Sequence, residues 1–387
     1  MKIVARCPNF LSPYRKVMRV LNSHIVVVLI GFAWGCLNSH ETHAISAQVP
    51  ETDPARFPKA IVLASQHRSA GTAVPQELKS NARVVDIVAP MWFDATDEGS
   101  VVAANGCSGP YTNYVQFCRD QRIRLMPIVR NFSPRKLLSN PDAMRMCAQE
   151  TAALVKREDF DGIVMDIEQM QPELQSSLVD LMRELYPLIQ QQGRRVGIAV
   201  NARAWGKWDY NNLALNADWL YVMFYDYTGP WNKSLVGPTA PLSWTNHPAD
   251  IQRDLQRILA TGAPPAKLLF GVPLYGNDFT LNPQGGALSI RTLYVDELLQ
   301  LKQSQQAGRR WDDNTQCPFF EYRDSQDGMH QVWYEDAESY SNKLQLAAQN
   351  HLGGIAIWAV RTTPSSVNSS FWATVRGQIG DKSQRLQ

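Results

Sequence analysis

The chain predicts an α/β fold of the (β/α)8 TIM-barrel type, with a small β-rich insertion between the seventh and eighth strands. Two observations carry that expectation. Short apolar runs rich in β-branched residues recur along the chain, and most are followed by segments with apolar residues at helical spacing. That alternation belongs to a parallel sheet with helical crossovers. Eight such units over roughly 300 residues suit a barrel better than an open doubly wound sheet. No glycine-rich phosphate loop follows the first run, which argues against a nucleotide-binding alternative.

The units follow in order. Ala60–Ala64 (AIVLA) reads as strand one, and Pro75–Asn81 as a short helix. Val84–Ala89 (VVDIVA) reads as strand two, expected to stop at Pro90, which cannot donate to a ladder. Asn113–Gln121 is helical and Arg124–Val129 is strand three, with Arg130-Asn131-Phe132 at its exit. Asp142–Arg157 carries Met146, Ala153 and Leu154 at helical spacing and leads into strand four, Gly162–Ile167. Leu174–Gln192 is a helix stopped by Gly193. Val196–Val200 and Trp219–Phe224 are strands five and six, and Ala249–Leu259 is a helix ended before Pro264-Pro265. Leu268–Val272 is strand seven; the helix Ala337–Asn350 precedes strand eight, Gly354–Ala359. Residues 277–335 break the alternation. They hold a helix near Val295–Gln303 and strands Phe319–Tyr322 and Gln331–Tyr334 joined by a turn at Asp327-Gly328.

The flanks read differently. Lys16 and Arg19 precede the apolar run Ile25–Leu37, too short to span a bilayer, with small residues at Ala44 and Ala47. Residues 1–44 are therefore expected to be an export signal, placing the protein in the periplasm or outside the cell. A start at Met18 gives a more ordinary charged region, which would put residues 1–17 upstream of the translated chain. Cys36 after Gly35 invites lipidation, but Ala33-Trp34 fits that signal poorly, so an anchored lipoprotein is the weaker reading. Residues 45–58 read as a linker, 59–370 as the barrel, and 371–387 as a polar tail. A formal net charge of +2 with mixed signs suggests no nucleic-acid footprint, and a monomer without a stable membrane span is expected. Once Cys7 and Cys36 are set aside, Cys107, Cys118, Cys147 and Cys317 remain. Export makes a Cys107–Cys118 disulfide the first pairing to expect, with four buried free thiols as the alternative. Their spacing does not resemble a zinc site, and no metal or cofactor is expected.

Strand four carries the chemistry. Residues two apart share a strand face, so Val164, Asp166 and Glu168 point one way. Two carboxylates ending an oily strand are costly to bury unless something uses them. From spacing alone, a strand running out into a wet loop explains them equally well. In a barrel the active site lies at the carboxyl ends of the strands. Those ends supply Trp92, Asn131, Asp166, Glu168, Asn201, Tyr225, Asp226, Tyr227, Tyr275 and Trp358. Trp92, Trp205, Trp208 and Trp231 are flat faces of the kind that can grip sugar rings, although ordinary packing accounts for each as well.

These motifs, in this order, resemble the family 18 glycoside hydrolases, the chitinase-like barrels. Asp161-Gly162 through Asp166-Ile167-Glu168 resembles their strand-four signature, except that Val164 stands where the family has its first inner aspartate. Met223-Phe224-Tyr225-Asp226-Tyr227 is similar to their strand six, Phe270–Gly276 to strand seven, and Gly353–Trp358 to strand eight. Val332–Asp336 with Ser339 and Lys343 resembles the lead into that last strand. The usual serine-glycine-glycine pattern of strand three is replaced by Met126–Phe132, which looks more like the bacterial spore-cortex-lytic glucosaminidases that act on peptidoglycan.

The resemblance implies a hydrolase of N-acetylglucosamine polymers in which the sugar's own acetamido oxygen is the nucleophile. It implies Glu168 as acid and then base, Asp166 on the acetamido N–H, Tyr225 on its carbonyl, Asp226 as sugar support and Trp358 as the floor. The competing expectation, raised by Val164, is a catalytically silent carbohydrate-binding barrel. A third is a TIM-barrel hydrolase of unrelated specificity.

Overall fold

The computed structural model describes Phe57 and residues 60–203, 208–361 and 369–385. The expected export signal, Cys36, all of the linker except Phe57, and Trp205 lie outside the described residues.

Eight parallel strands close on themselves. β1 (Ile61–Gln66) pairs with both β2 (Ile87–Ala95) and β8 (Gly354–Val360). The ring is completed through β3 (Ile128–Asn131), β4 (Gly162–Ile167), β5 (Arg195–Asn201), β6 (Trp219–Met223) and β7 (Leu268–Pro273). Their near-continuous apolar runs follow from burial on two faces, by the barrel interior and by the surrounding helices. The long helix Pro141–Arg157 shows how those helices start. Asn140 accepts from the Asp142 and Ala143 N–H groups, and Pro141 fills the first turn, where no N–H is needed.

Two prolines act differently from the sequence expectation. Strand two runs on through Pro90 to Ala95, because Pro90 is the last residue in register with β1. Beyond it the strand is held by β3 and by a hairpin partner, Val101–Ala103, so the missing donor breaks no ladder. Strand three is instead divided at Met126-Pro127 into Arg124–Leu125 and β3.

The insertion occupies the expected stretch but holds more strands than the two expected. Tyr275–Leu281, Ala287–Tyr294, Arg310–Asp312, Cys317–Arg323 and Met329–Trp333 form a five-stranded antiparallel sheet, with the helix Val295–Ser304 in the chain between the second and third of them. Several polar contacts tie it to the barrel, among them a hydrogen bond from Asn277 to the Thr228 carbonyl at 3.2 Å and one buried ion pair. Glu335 accepts from Lys343 at 2.7 Å, with both side chains out of water, and the helix Ala337–Gln349 carries Lys343 beneath the insertion.

The expected polar tail is a packed part of the domain. In the helix Ser369–Gln378, Phe371, Trp372 and Val375 fall on one side and are buried, as is Ile379 just beyond it. The Trp372 indole donates to Glu77 at 2.9 Å, and Arg385 donates to the Ala60 and Val84 carbonyls. The expected disulfide is absent: all four described cysteines are buried free thiols. The Cys107 thiol lies against the Arg68 and Met91 carbonyls, whereas Cys118 sits on the inner face of the helix Thr112–Gln121, in the field of Asp161 and Lys382.

The Glu335–Lys343 pair leads to a stability prediction. Glu335→Ala leaves a buried ammonium unpaired and should cost about 3–5 kcal/mol in urea unfolding. The double change Glu335→Leu with Lys343→Met should cost far less, since it removes both charges together. Equal losses for the two variants would contradict this account.

Candidate active site

The register of β3 to β8 decides which side chains enter the barrel mouth. Arg130 on β3 stands opposite Asp166 on β4, and Asp166 opposite Ala199 on β5. Ala199 is level with Tyr221 on β6, and on the far side Gly271 and Ala356 are level with each other. The small residues make room. A Cβ at Gly271 would lie 3.0 Å from the Tyr221 ring and 2.3 Å from the Val222 carbonyl oxygen. One step deeper, a Cβ at Gly197 would meet Val164 at 3.3 Å, so the valine fills the space that glycine leaves.

Above these residues lies a cavity of about 90 Å³ lined by Asp166, Glu168, Tyr221, Tyr225, Asp226 and Trp358, with Ile128, Ala199 and Met223. Tyr225 and Tyr221 share a hydrogen bond of 2.9 Å between their hydroxyls, and Tyr275 donates to Asp226. Glu168 is held just past the end of β4 by its N–H, which donates to the Asn131 carbonyl at 2.9 Å.

The electrostatics follow from that enclosure. Asp166 is buried, and its Oδ1 has no hydrogen-bond partner among the described residues. Loss of water pushes its carboxyl up to about 7, against the pull of Arg130. Glu168 is pushed up to about 8, first by burial and then by the fields of Asp166 and Asp226, with Arg130 again opposing. Asp226 is also raised by burial, offset by the Tyr275 hydrogen bond and the Arg203 charge. Burial raises Tyr225 well above the usual phenol range, so it remains a neutral donor. The cavity thus presents a protonated carboxyl at neutral pH beside further acids and a phenol. That set can donate a proton to a leaving oxygen and steady a positive charge.

Of the residues expected at the rim, Glu168, Asp166, Tyr225, Asp226 and Trp358 meet here, and Tyr275 joins through Asp226. Three do not. Trp92 is fully buried, stacked on Tyr111 at 4.7 Å with its indole N–H on the Gly71 carbonyl. Asn131 spends its side chain on the Ala95 carbonyl and the Ser133 N–H. Tyr227 donates to Asp254 at 2.8 Å inside the core. Each is held by packing or by main chain, away from the cavity. Trp231 is exposed, and Trp208 lines a second cavity beyond Glu168.

Arg130 and Tyr221 were not among the expected site residues. Arg130 sits near the mouth with an ion pair to Asp94 at 2.5 Å and its guanidinium 4.7 Å over the Phe132 ring. Its signal was the even spacing from Ile128, which puts it on the inward face. Tyr221 lay mid-strand among residues that read as core.

Comparison with known proteins points the same way. The model for Glycosyl hydrolases family 18 matches residues 129–362. The cortical fragment-lytic enzyme of Bacillus subtilis is 27% identical over 312 residues, covering 74% of this chain and 68% of that protein. Two solved structures share the fold. The spore cortex-lytic enzyme of Bacillus megaterium has a TM-score of 0.68 at 19% identity, over 83% of this chain and 74% of that one. The chitinase of Chromobacterium violaceum has 0.69 at 22% identity, over 82% and 98%.

The raised acids make stability depend on pH. Free carboxyls of these types lose their protons near 3.8 and 4.5, so in a window above those values the folded chain keeps protons that the unfolded chain has released. Stability should therefore fall as pH rises from about 5 to about 8. Melting temperatures across that range should show the decline, and Asp166→Asn with Glu168→Gln should flatten it. A decline unchanged in the double variant would place its source elsewhere.

Proposed function

The chain belongs to glycosyl hydrolase family 18, and from that premise we propose that it cleaves β-linked N-acetylglucosamine in peptidoglycan or a chitin-like polymer, by substrate-assisted catalysis with retention. The observation that carries this reading is the pairing of Glu168 and Asp166 in one small cavity with Tyr225, Asp226 and Trp358. The chain is a glycosidase by family; the substrate and the steps below are our reading.

The Glu168 carboxyl gives its proton to the glycosidic oxygen as the bond from that oxygen to C1 breaks. The acetamido carbonyl oxygen of the same sugar attacks C1 from the other face, forming an oxazolinium ring. Asp166 accepts the acetamido N–H and faces the positive charge that develops there. Tyr225 donates to the acetamido oxygen and orients it, while Asp226, held by Tyr275, binds the sugar. Trp358 supports the ring from below. Glu168, now a carboxylate, takes a proton from water as that water opens the oxazolinium at C1, and the acid is restored. Enclosure of the cavity around Glu168 is what keeps that acid protonated.

Val164 motivates a second reading, a barrel that binds glycan without turning it over. Its side chain is buried against Gly197, where the family places a carboxylate, and Asp166 Oδ1 has no described partner. An exported location fits either reading, since such polymers lie outside the cytoplasm. No helix among the described residues is long and apolar enough to cross a membrane.

Glu168→Gln should reduce release of new reducing ends from peptidoglycan and N-acetylglucosamine oligosaccharides by at least ~10²-fold, with the circular dichroism spectrum unchanged. Wild-type activity should decline on the alkaline side as Glu168 loses its proton near pH 8. Full activity in the glutamine variant would exclude Glu168 as the acid; tight binding by wild type without products at any pH would favour the second reading.

A further inference from the structure

Glu168 separates two cavities. Beyond the one that holds Asp166 and Trp358 lies a larger space of about 360 Å³, lined by Arg203, Trp208, Asn201, Gln169 and His247 together with Glu168 itself. A sugar whose C1 faces Glu168 in the first cavity leaves its departing oxygen, and the sugar attached to it, on this second side.

The walls of that space hold unused donors. Arg203 Nε is buried and has no hydrogen-bond partner among the described residues. The guanidinium stands 5.5 Å over the Tyr227 ring and is joined to no carboxylate by an ion pair among the described residues, although its charge reaches Asp226. Its backbone is fixed, because Asn201 Oδ1 accepts the Arg203 N–H at 2.8 Å. Trp208 is also buried, and its indole N–H likewise lacks an acceptor among the described residues. His247, also in the lining, is stacked on Trp244 with ring centroids 4.1 Å apart, its Nδ1 held at 2.7 Å by the Ala249 carbonyl.

Leaving buried donors unmade is unfavourable, and a guanidinium is the side chain best suited to a planar anion. Two donors without an acceptor among the described residues, one of them cationic, in a cavity adjoining the proton donor suit an acceptor-rich, anionic group on the departing sugar. Chitin has none. The amino sugar that follows N-acetylglucosamine in peptidoglycan carries a lactyl ether at O3, whose carboxyl is free and anionic wherever the stem peptide has been removed. Resting on the hydrolase reading above, we propose that Arg203, with Trp208 beside it, selects an acidic leaving-group sugar through a charge-assisted hydrogen bond to its carboxylate. Arg203 is thereby a specificity-determining residue that sets the choice of peptide-free peptidoglycan strands over chitin.

The test compares three substrates: a peptide-free peptidoglycan tetrasaccharide, the same tetrasaccharide with its carboxyls reduced to alcohols, and chitotetraose. The wild-type kcat/KM for the acidic substrate should exceed that for its reduced form by about tenfold or more. In Arg203→Gln that ratio should fall toward one, through a raised KM for the acidic substrate, and Arg203→Lys should recover part of it. A tetrasaccharide carrying the stem peptide tells whether the recognised carboxylate belongs to the sugar or to the peptide: a preference confined to the peptide-bearing form would overturn the assignment to the sugar. A ratio near one in wild type, or one unchanged in Arg203→Gln, overturns the proposal while leaving the hydrolase reading intact. Cleavage of none of the substrates by wild type would instead remove the hydrolase reading on which it rests.

Discussion

The structure turns on the burial of Asp166 and Glu168 in the mouth of an apolar barrel. In water both would be ionised at neutral pH. Inside, with one arginine facing them and little solvent, the ionised state is costly and protons are retained. In the proposed mechanism that penalty supplies the chemistry: an acid that keeps its proton near neutrality is one that can give it to a poor leaving group. Arg130 keeps the penalty bounded, since its charge favours ionisation of both acids and is itself secured by Asp94.

The scaffold has to tolerate that penalty. Its means are the closed ring of strands, which leaves no unpaired edge, and the graded side chains inside it. Glycine and alanine at 197, 199, 271 and 356 leave the volume that Val164, Tyr221 and the cavity occupy. Val164 is explained in these terms. Packed against Gly197 and fully buried, it contributes to the barrel interior as an apolar residue, and Asp166 is left without the neighbouring carboxylate the family places there. The insertion and the C-terminal helix are secured by a few buried polar contacts, Glu335 with Lys343 and Trp372 with Glu77, which fix where each one sits.

Much of the fold was legible because barrel strands are covered on both faces and therefore read as oily runs separated by amphipathic helices. The misread places are those where local rules met a tertiary partner. Pro90 lies inside a strand because its register ends there with one neighbour and passes to others. The C-terminal segment looked polar on average, yet Phe371, Trp372, Val375 and Ile379 carry its contact with the barrel. Cys107 and Cys118 are close in the chain but remain separate buried thiols. Trp92 and Tyr227 occupy strand ends, as expected of rim residues, but turn into the core, where Gly71 and Asp254 satisfy their polar atoms.

The position of Asp166 and Glu168 on one face at the end of strand four was legible in the sequence, since the two-residue period of a strand and the motif around it need no partner to be recognised. The same holds for Tyr225, Asp226 and Trp358, each placed at a strand end by its own local pattern. What the tertiary structure decided is everything that depends on register between strands: Arg130 opposite Asp166, the room left by Gly271 for Tyr221, and the gathering of Arg203 and Trp208 on the far side of Glu168. Register is set by side chains packing across strands far apart in the chain, and no local pattern records it.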